Sequence, residues 1–134
     1  MNPEYEELDD PRQWDDLTTM VCFHKRYNLG DETDYQSDDY DCWNHMQADI
    51  ICNEDTVIIL PLFMYDHSGL FISTEVEPYW WHYAWDGGQI GFVYVTREKA
   101  MEVFDWQRIT NKRRKFLTEQ IQQAVENYDY YLRN

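Results

Sequence analysis

The stretch from Thr56 to Tyr65, TVIILPLFMY, is apolar at almost every position and restricts the fold more than any other segment. A strand whose residues are apolar on both alternating faces must be covered on both sides, which is typical of a central strand in a packed sheet. Pro61 cannot donate a hydrogen bond to a neighbouring strand, so we expect a bulge or an unpaired edge there. The segment therefore predicts a sheet that is covered on each face.

The C-terminal part of the chain shows the clearest helical pattern, over residues 110–132. Its apolar residues follow one stripe at helical spacing: Leu117, Ile121, Ala124, Val125, Tyr128 and Leu132. This spacing predicts an amphipathic helix. The cations Lys112 to Lys115 lie at its start, where the helix dipole disfavours positive charge, so we expect an acidic neighbour from residues 31–41 of the same chain or of a second copy.

The remaining segments complete an α+β pattern. They predict a strand at Thr18–Tyr27, a helix at about 40–53 capped by Ser37, Asp39 or Asp41, a hairpin arm at Leu70–Glu75, a strand at Gln89–Val95 with a bulge or close backbone approach at Gly91, and a short helix from Thr96 through Phe104 or Trp106. We expect an antiparallel sheet of about four or five strands packed against the long C-terminal helix and two shorter helices. Residues 1–17 are predicted to be an acidic N-terminal arm, and residues 18–134 a single domain.

The net charge of the whole chain is -15, and the negative charge is concentrated in its first half. Residues 1–67 hold 17 acids and 3 bases, whereas residues 68–134 hold 9 acids and 8 bases. Such a surface repels nucleic acids and anionic membranes and attracts basic protein surfaces. We therefore expect a protein partner and no direct contact with nucleic acid or membrane.

The cysteines and the hydropathy pattern bear on location. The three cysteines show no paired spacing, which favours a reducing compartment over a disulfide framework. No apolar run approaches the length that spans a bilayer. Both observations predict a protein of the cytoplasm.

The segment from Asp31 to Asp41 contains six acids and no base. Closely spaced carboxylates can replace a phosphate backbone in the Lys/Arg groove of a nucleic-acid-handling protein, although a solvated acidic loop would have the same composition. Exposed tryptophans are favoured interface residues, while packing within a hairpin is the alternative for Trp80 and Trp81 in the aromatic segment Glu77–Trp85. The candidate partner-binding residues are Asp31, Glu32, Asp34, Asp38, Asp39 and Asp41, an auxiliary set of Glu4, Glu6, Glu7, Asp9 and Asp10, and the two tryptophans Trp80 and Trp81.

Two other groups could carry chemistry. Asp66, His67 and Asp86 would come together if two turns met at one end of the sheet, but a turn needs the same residue types for its backbone. Cys22 and His24 share one face of a predicted strand without the paired spacing of a zinc site. We therefore assign no catalytic residue, no metal and no cofactor, and keep a small enzyme that uses the Asp66, His67 and Asp86 region as an alternative.

Four segments carry a family resemblance over roughly residues 20–104: FHKRYNLGD (Phe23–Asp31), YDHSG (Tyr65–Gly69), FISTEV (Phe71–Val76) and WDGGQIGFVYVTREKA (Trp85–Ala100). With them the chain resembles a group of small acidic accessory proteins of phages and mobile elements. The resemblance implies an anti-CRISPR or anti-restriction function in the host cytoplasm. The leading hypothesis is thus a phage-encoded inhibitor of a CRISPR effector or restriction enzyme with a DNA-mimicking acidic surface. A self-associating interaction protein, such as a homodimer, is a further alternative.

Overall fold

The computed structural model describes residues 9–66, 69–75 and 87–134. Its four strands form one antiparallel sheet in the order β1-β4-β2-β3: β1 Thr19–Cys22, β2 Thr56–Asp66, β3 Leu70–Ser73 and β4 Gly87–Thr96. The helices are α1 Pro11–Trp14, α2 Trp43–Glu54, α3 Arg97–Phe104 and α4 Asn111–Arg133, with a single 3₁₀ turn at Ser37–Asp39. The predicted α+β fold with a long C-terminal helix is confirmed.

The apolar segment Thr56–Tyr65 forms β2, which is a central strand of the sheet. Pro61 lies opposite Phe92 of β4, whereas β3 pairs with Phe63–Asp66 only. The edge of β2 beside Pro61 is therefore not paired with β3, and the register between β2 and β4 shifts between Leu62 and Phe63. Among the residues that the structure describes, the unpaired edge and the irregularity that the proline predicted both occur.

The sheet is covered on both of its faces, and β4 contributes apolar side chains to the core on each face. Val93 and Val95 of β4 belong to the main core, to which α4 contributes Leu117, Ile121, Ala124, Val125 and Tyr128. Phe92 and Tyr94 point the other way and form a second core with Met46 and Ile50 of α2. Helices α4 and α2 therefore lie on opposite faces of the sheet.

The first strand is shorter than its β-branched and aromatic residues predicted. It ends at Cys22, and His24 then accepts a hydrogen bond from the Arg26 backbone N–H at 3.0 Å, which closes a local turn. Gly30 has a φ of +78°, which turns the chain back so that the Asp31 N–H donates to the Met20 carbonyl at 2.8 Å. Backbone bonding to β4 continues one residue beyond β1, where the Phe23 N–H donates to the Ile90 carbonyl at 2.8 Å.

Helix α2 begins at Trp43 and has Cys42 as its N-cap, without a capping side chain. The prediction that Ser37, Asp39 or Asp41 caps this helix is therefore wrong. The Trp43 ring, at the first residue of the helix, packs edge-on against Phe92 with ring centroids 5.9 Å apart. Thr96 caps α3 as predicted, because its side chain accepts a hydrogen bond from the Lys99 N–H. Thr110 caps α4 in the same way and accepts from the Arg113 N–H.

Candidate acidic binding surface

A buried arginine attaches the acidic loop to the sheet. The Arg12 side chain is 2% exposed and donates to both carboxylate oxygens of Asp31, at 3.1 and 2.8 Å. Asp31 also accepts a hydrogen bond from the Met20 backbone N–H at 2.8 Å. Asp31 is thus neutralised and anchors the start of the loop, so its charge is not free to attract a partner.

Arg12 also connects the predicted arm to the domain. It binds Asp15 at 3.1 Å and the Thr18 carbonyl at 2.8 Å. Burial raises the pKa of the Asp15 carboxyl, but hydrogen bonds from Thr18 and Leu17 and the charge of Arg12 outweigh this and leave the pKa below its ordinary value. Within the predicted auxiliary set, Asp10 caps α1 and Asp9 is exposed. Glu4, Glu6 and Glu7 lie outside the described residues.

A cleft lies between the acidic loop and α2, which we call the acidic cleft. Its volume is about 550 Å³. Five carboxylates line it together with polar and aromatic residues, and no lysine or arginine is among the lining residues that the structure describes: Glu32, Asp34, Asp39, Asp49 and Glu54, with Thr19, Thr33, Tyr35, Tyr40, Asn53 and Tyr94. Three of the predicted loop acids therefore come together with two acids of α2.

The contribution of α2 was missed at the sequence level. Met46 and Ile50 face the core, and Asp49 and Asn53 are four residues apart on a neighbouring face of the same helix. The four-residue spacing of Asp49 and Asn53 is the sequence signal that could have identified this polar helix face. It needed to be combined with the knowledge that the acidic loop lies beside this helix face.

Two tyrosines orient the carboxylates of α2. The Tyr35 hydroxyl donates to Glu54 at 2.9 Å, and the Tyr40 hydroxyl donates to Asp49. Burial and the bond to Glu54 raise the pKa of Tyr35 to about 12, and the bond to Asp49 raises the pKa of Tyr40 to about 12. Burial also raises the pKa of Tyr94. The Tyr35 and Tyr40 hydroxyls are protonated at neutral pH and act as donors to the two carboxylates of α2.

Asp38 and Asp41 lie next to the acidic cleft without lining it. Asp38 is exposed in the 3₁₀ turn. The side chain of Asp41 is 94% exposed, with one oxygen 3.8 Å from Nδ1 of His45. Both carboxylates can extend the negative surface beyond the rim of the cleft.

Few of these charges are neutralised by the rest of the molecule. Residues 31–55 contain nine acids and no lysine or arginine. Besides Asp31, only Asp55 of this group is paired with a lysine or arginine in the described part of the chain, with Arg97 at 3.5 Å.

The four cations at the start of α4 were expected to have an acidic neighbour. Arg114 donates instead to the Val57 carbonyl at 2.8 Å, and Arg113 donates to the Arg108 carbonyl at 2.9 Å. In residues 9–66, 69–75 and 87–134, no ion pair joins these cations to an acid. Their helix lies on the opposite face of the sheet from the acidic cleft.

The residues of the enzyme alternative are only partly described. Asp66 is half-buried and accepts hydrogen bonds from Arg26 and from the Tyr27 hydroxyl, each at 3.2 Å. His67 and Asp86 lie outside the described residues, as do Trp80 and Trp81 of the predicted interface. The geometry of that alternative therefore stays a prediction.

Cys22 has none of the properties of a nucleophile. Burial raises the pKa of its thiol to about 12, so the thiol is protonated at neutral pH. His24, its predicted neighbour on the strand, lies beyond the end of β1. No group of three or more His, Cys, Asp or Glu side chains in the described residues is arranged to hold a metal ion. None of the described helices has the length and apolar character required to cross a membrane.

Comparisons with protein-family models, with curated proteins and with solved structures gave no match. The resemblance to phage accessory proteins therefore stays a prediction.

Proposed function

We propose that this protein binds the cationic groove of a nucleic-acid-handling protein through its acidic cleft and the adjoining loop, and thereby excludes nucleic acid from that groove. The observation that carries the proposal is the set of five carboxylates around one cleft with no lysine or arginine in its described lining. A surface of this kind attracts cationic side chains and raises the rate of encounter with a basic partner.

Two of the five carboxylates, Asp49 and Glu54, are held in place before a partner arrives. Tyr35 and Tyr40 donate to the α2 carboxylates, and Arg12 anchors the start of the loop through Asp31. Pre-organised charges lose less conformational entropy when they bind than charges on mobile side chains do. A groove that normally binds phosphates would therefore meet a cluster of anions of which the two on α2 are already oriented.

The biological setting of the proposal follows from the sequence resemblance. Accessory proteins of phages act in the host cytoplasm against defence complexes that hold DNA or RNA in basic channels. The partner class that we propose is accordingly a CRISPR effector or a restriction enzyme, and the protein would be its phage-encoded inhibitor.

The experiment compares two variants that change the net charge equally at different places. Asp34→Lys/Asp39→Lys reverses two carboxylates of the cleft, whereas Glu119→Lys/Glu126→Lys reverses two exposed carboxylates of α4. Each protein is added to DNA-cleavage assays of purified CRISPR effectors and restriction enzymes. We expect wild-type inhibition of a susceptible enzyme, a loss of at least about tenfold in inhibitory potency for the cleft variant, and no loss for the α4 variant.

Competition with DNA provides the second readout. If the acidic cleft occupies the nucleic-acid groove, increasing the DNA concentration should weaken the apparent inhibition. Equal potency of the wild type and the cleft variant, or an inhibition that does not depend on DNA concentration, would contradict the proposal.

A further inference from the structure

The junction of α3 and α4 carries most of the positive charge of the molecule. Seven of the chain's 11 bases lie between Arg97 and Lys115, together with three acids. Three rings pack there, because Phe104 and Trp106 stack with centroids 4.7 Å apart and Phe116 packs edge-on against both. We call the exposed part of this region, Arg108, Lys112, Lys115 and Phe116, the cationic corner.

The cationic corner lacks partners of its own among the described residues. Arg113 is held over the Trp106 ring at 4.7 Å and Arg114 donates to a backbone carbonyl, but no ion pair involves Lys112 or Lys115. Both lysines lie at a helix start, where the dipole disfavours cations. Phe116 lies four residues after Lys112, on the same side of α4, and is 37% exposed. Two lysines beside an exposed ring suit an anionic surface that also offers aromatic contacts.

The acidic cleft is such a surface, since it combines five carboxylates with three tyrosines. The two surfaces cannot meet within one chain, because the cleft belongs to the α2 face of the sheet and the cationic corner to the α4 face. We propose that the cationic corner of one copy docks into the acidic cleft of a second copy. Because the two surfaces lie on opposite faces of the sheet, two copies cannot make both contacts with each other. The association is therefore head-to-tail and continues beyond a dimer, to a ring or a filament.

Net repulsion between copies does not prevent this contact at physiological salt. Each copy has a net charge of -15. Charges farther apart than the Debye length of about 8 Å are largely screened, whereas paired charges in direct contact are screened less. The local complementarity of the two surfaces therefore decides the interaction.

The experiment measures the mass of the purified protein by sedimentation at increasing concentration in about 0.15 M salt. Two variants each remove one surface: Lys112→Glu/Lys115→Glu changes the corner, and Asp34→Lys/Asp39→Lys changes the cleft. We expect the wild-type mass to rise with concentration beyond that of two copies. Each variant should associate at least about tenfold more weakly.

Combining both changes in one chain restores the wild-type net charge but removes the complementarity, because the cleft keeps three carboxylates beside its two introduced bases and the corner keeps Arg108 beside its two introduced acids. This four-site variant should therefore associate at least about tenfold more weakly than the wild type, although its net charge is the same. Glu119→Lys/Glu126→Lys, which changes the net charge as the cleft variant does, should keep wild-type association. If net repulsion alone controlled the mass, the cleft variant would associate more strongly than the wild type, which is the opposite of our expectation.

Four results would overturn the inference: a wild-type mass that stays at one copy, a mass that levels off at two copies, a four-site variant that associates as strongly as the wild type, or association that persists at about 1 M salt, where the Debye length is about 3 Å. The inference does not depend on the proposed function, because the experiment contains this chain alone. A monomeric protein that inhibits a nuclease would contradict only the inference, and an associating protein without inhibitory activity would contradict only the proposed function.

Discussion

Gly91 lies where β4 passes so close to β1 that no side chain fits between them. A Cβ atom at this position would be 1.7 Å from the Val21 carbonyl oxygen. Gly91 is paired with Cys22 at the end of β1. The close approach keeps β1 in register beside β4, and β1 in turn supplies the Met20 N–H that binds Asp31. A single glycine thus helps to position the acidic loop.

Gly91→Ala should therefore displace β1 and lower the free energy of unfolding by about 3 kcal/mol, measured by urea denaturation. Gly88→Ala is the matched control in the same strand, because a Cβ there would meet no atom within 4 Å. We expect a change of less than about 0.5 kcal/mol for the control. Equal losses in the two variants would show that the approach to Val21 is not the cause.

At the scale of elements, α2 supplies two carboxylates of the acidic cleft but begins without a capping side chain. Its N-cap residue Cys42 has the extended backbone, φ -159° and ψ 168°, that a capping residue adopts. The thiol is a weak acceptor, so the first N–H groups of the helix lack the bond that Thr96 and Thr110 provide for α3 and α4. The start of α2 is therefore a place where stability can be gained.

Cys42→Ser should add a capping hydrogen bond and raise the stability by about 0.5 kcal/mol, seen as a higher midpoint in thermal unfolding. Thr110→Ala removes the existing cap of α4 and should lower the stability by about 1 kcal/mol. If Cys42→Ser gives no gain while Thr110→Ala gives the expected loss, the start of α2 does not adopt the capping geometry described above.

At the scale of the whole molecule, acids and bases are separated between the two faces of the sheet. Five carboxylates line the acidic cleft beside α2, and the α3–α4 junction carries most of the bases. Like charges gathered on one face repel one another and destabilise the folded state, and this repulsion is screened by salt. The stability of the protein should therefore respond to ionic strength.

Thermal unfolding in increasing sodium chloride tests this separation. We expect the midpoint of the wild type to rise up to about 0.5 M salt. Asp34→Asn/Asp39→Asn removes two charges of the cleft and should reduce that rise, whereas Glu119→Gln/Glu126→Gln on α4 should not. An equal salt response of the two variants would mean that the loop carboxylates do not act as one patch.

The sequence alone predicted the elements whose signals are local. The doubly apolar pattern of Thr56–Tyr65 predicted β2 and the covers on both faces of the sheet, and the apolar stripe after residue 116 predicted α4. Thr96 predicted the start of α3. These predictions succeeded because hydrophobic periodicity and side-chain capping involve residues that are close in the chain.

The concentration of acids in residues 31–41 was also visible in the sequence, but only the tertiary structure decided what each acid does. Asp31 is neutralised by Arg12, which lies 19 residues earlier, and Asp49 and Glu54 join the loop acids because α2 packs beside them. Trp43, at the start of α2, packs against Phe92 of β4. Ion pairs, clefts and packed rings join residues that are distant in the chain, and composition or periodicity carries no signal for such contacts.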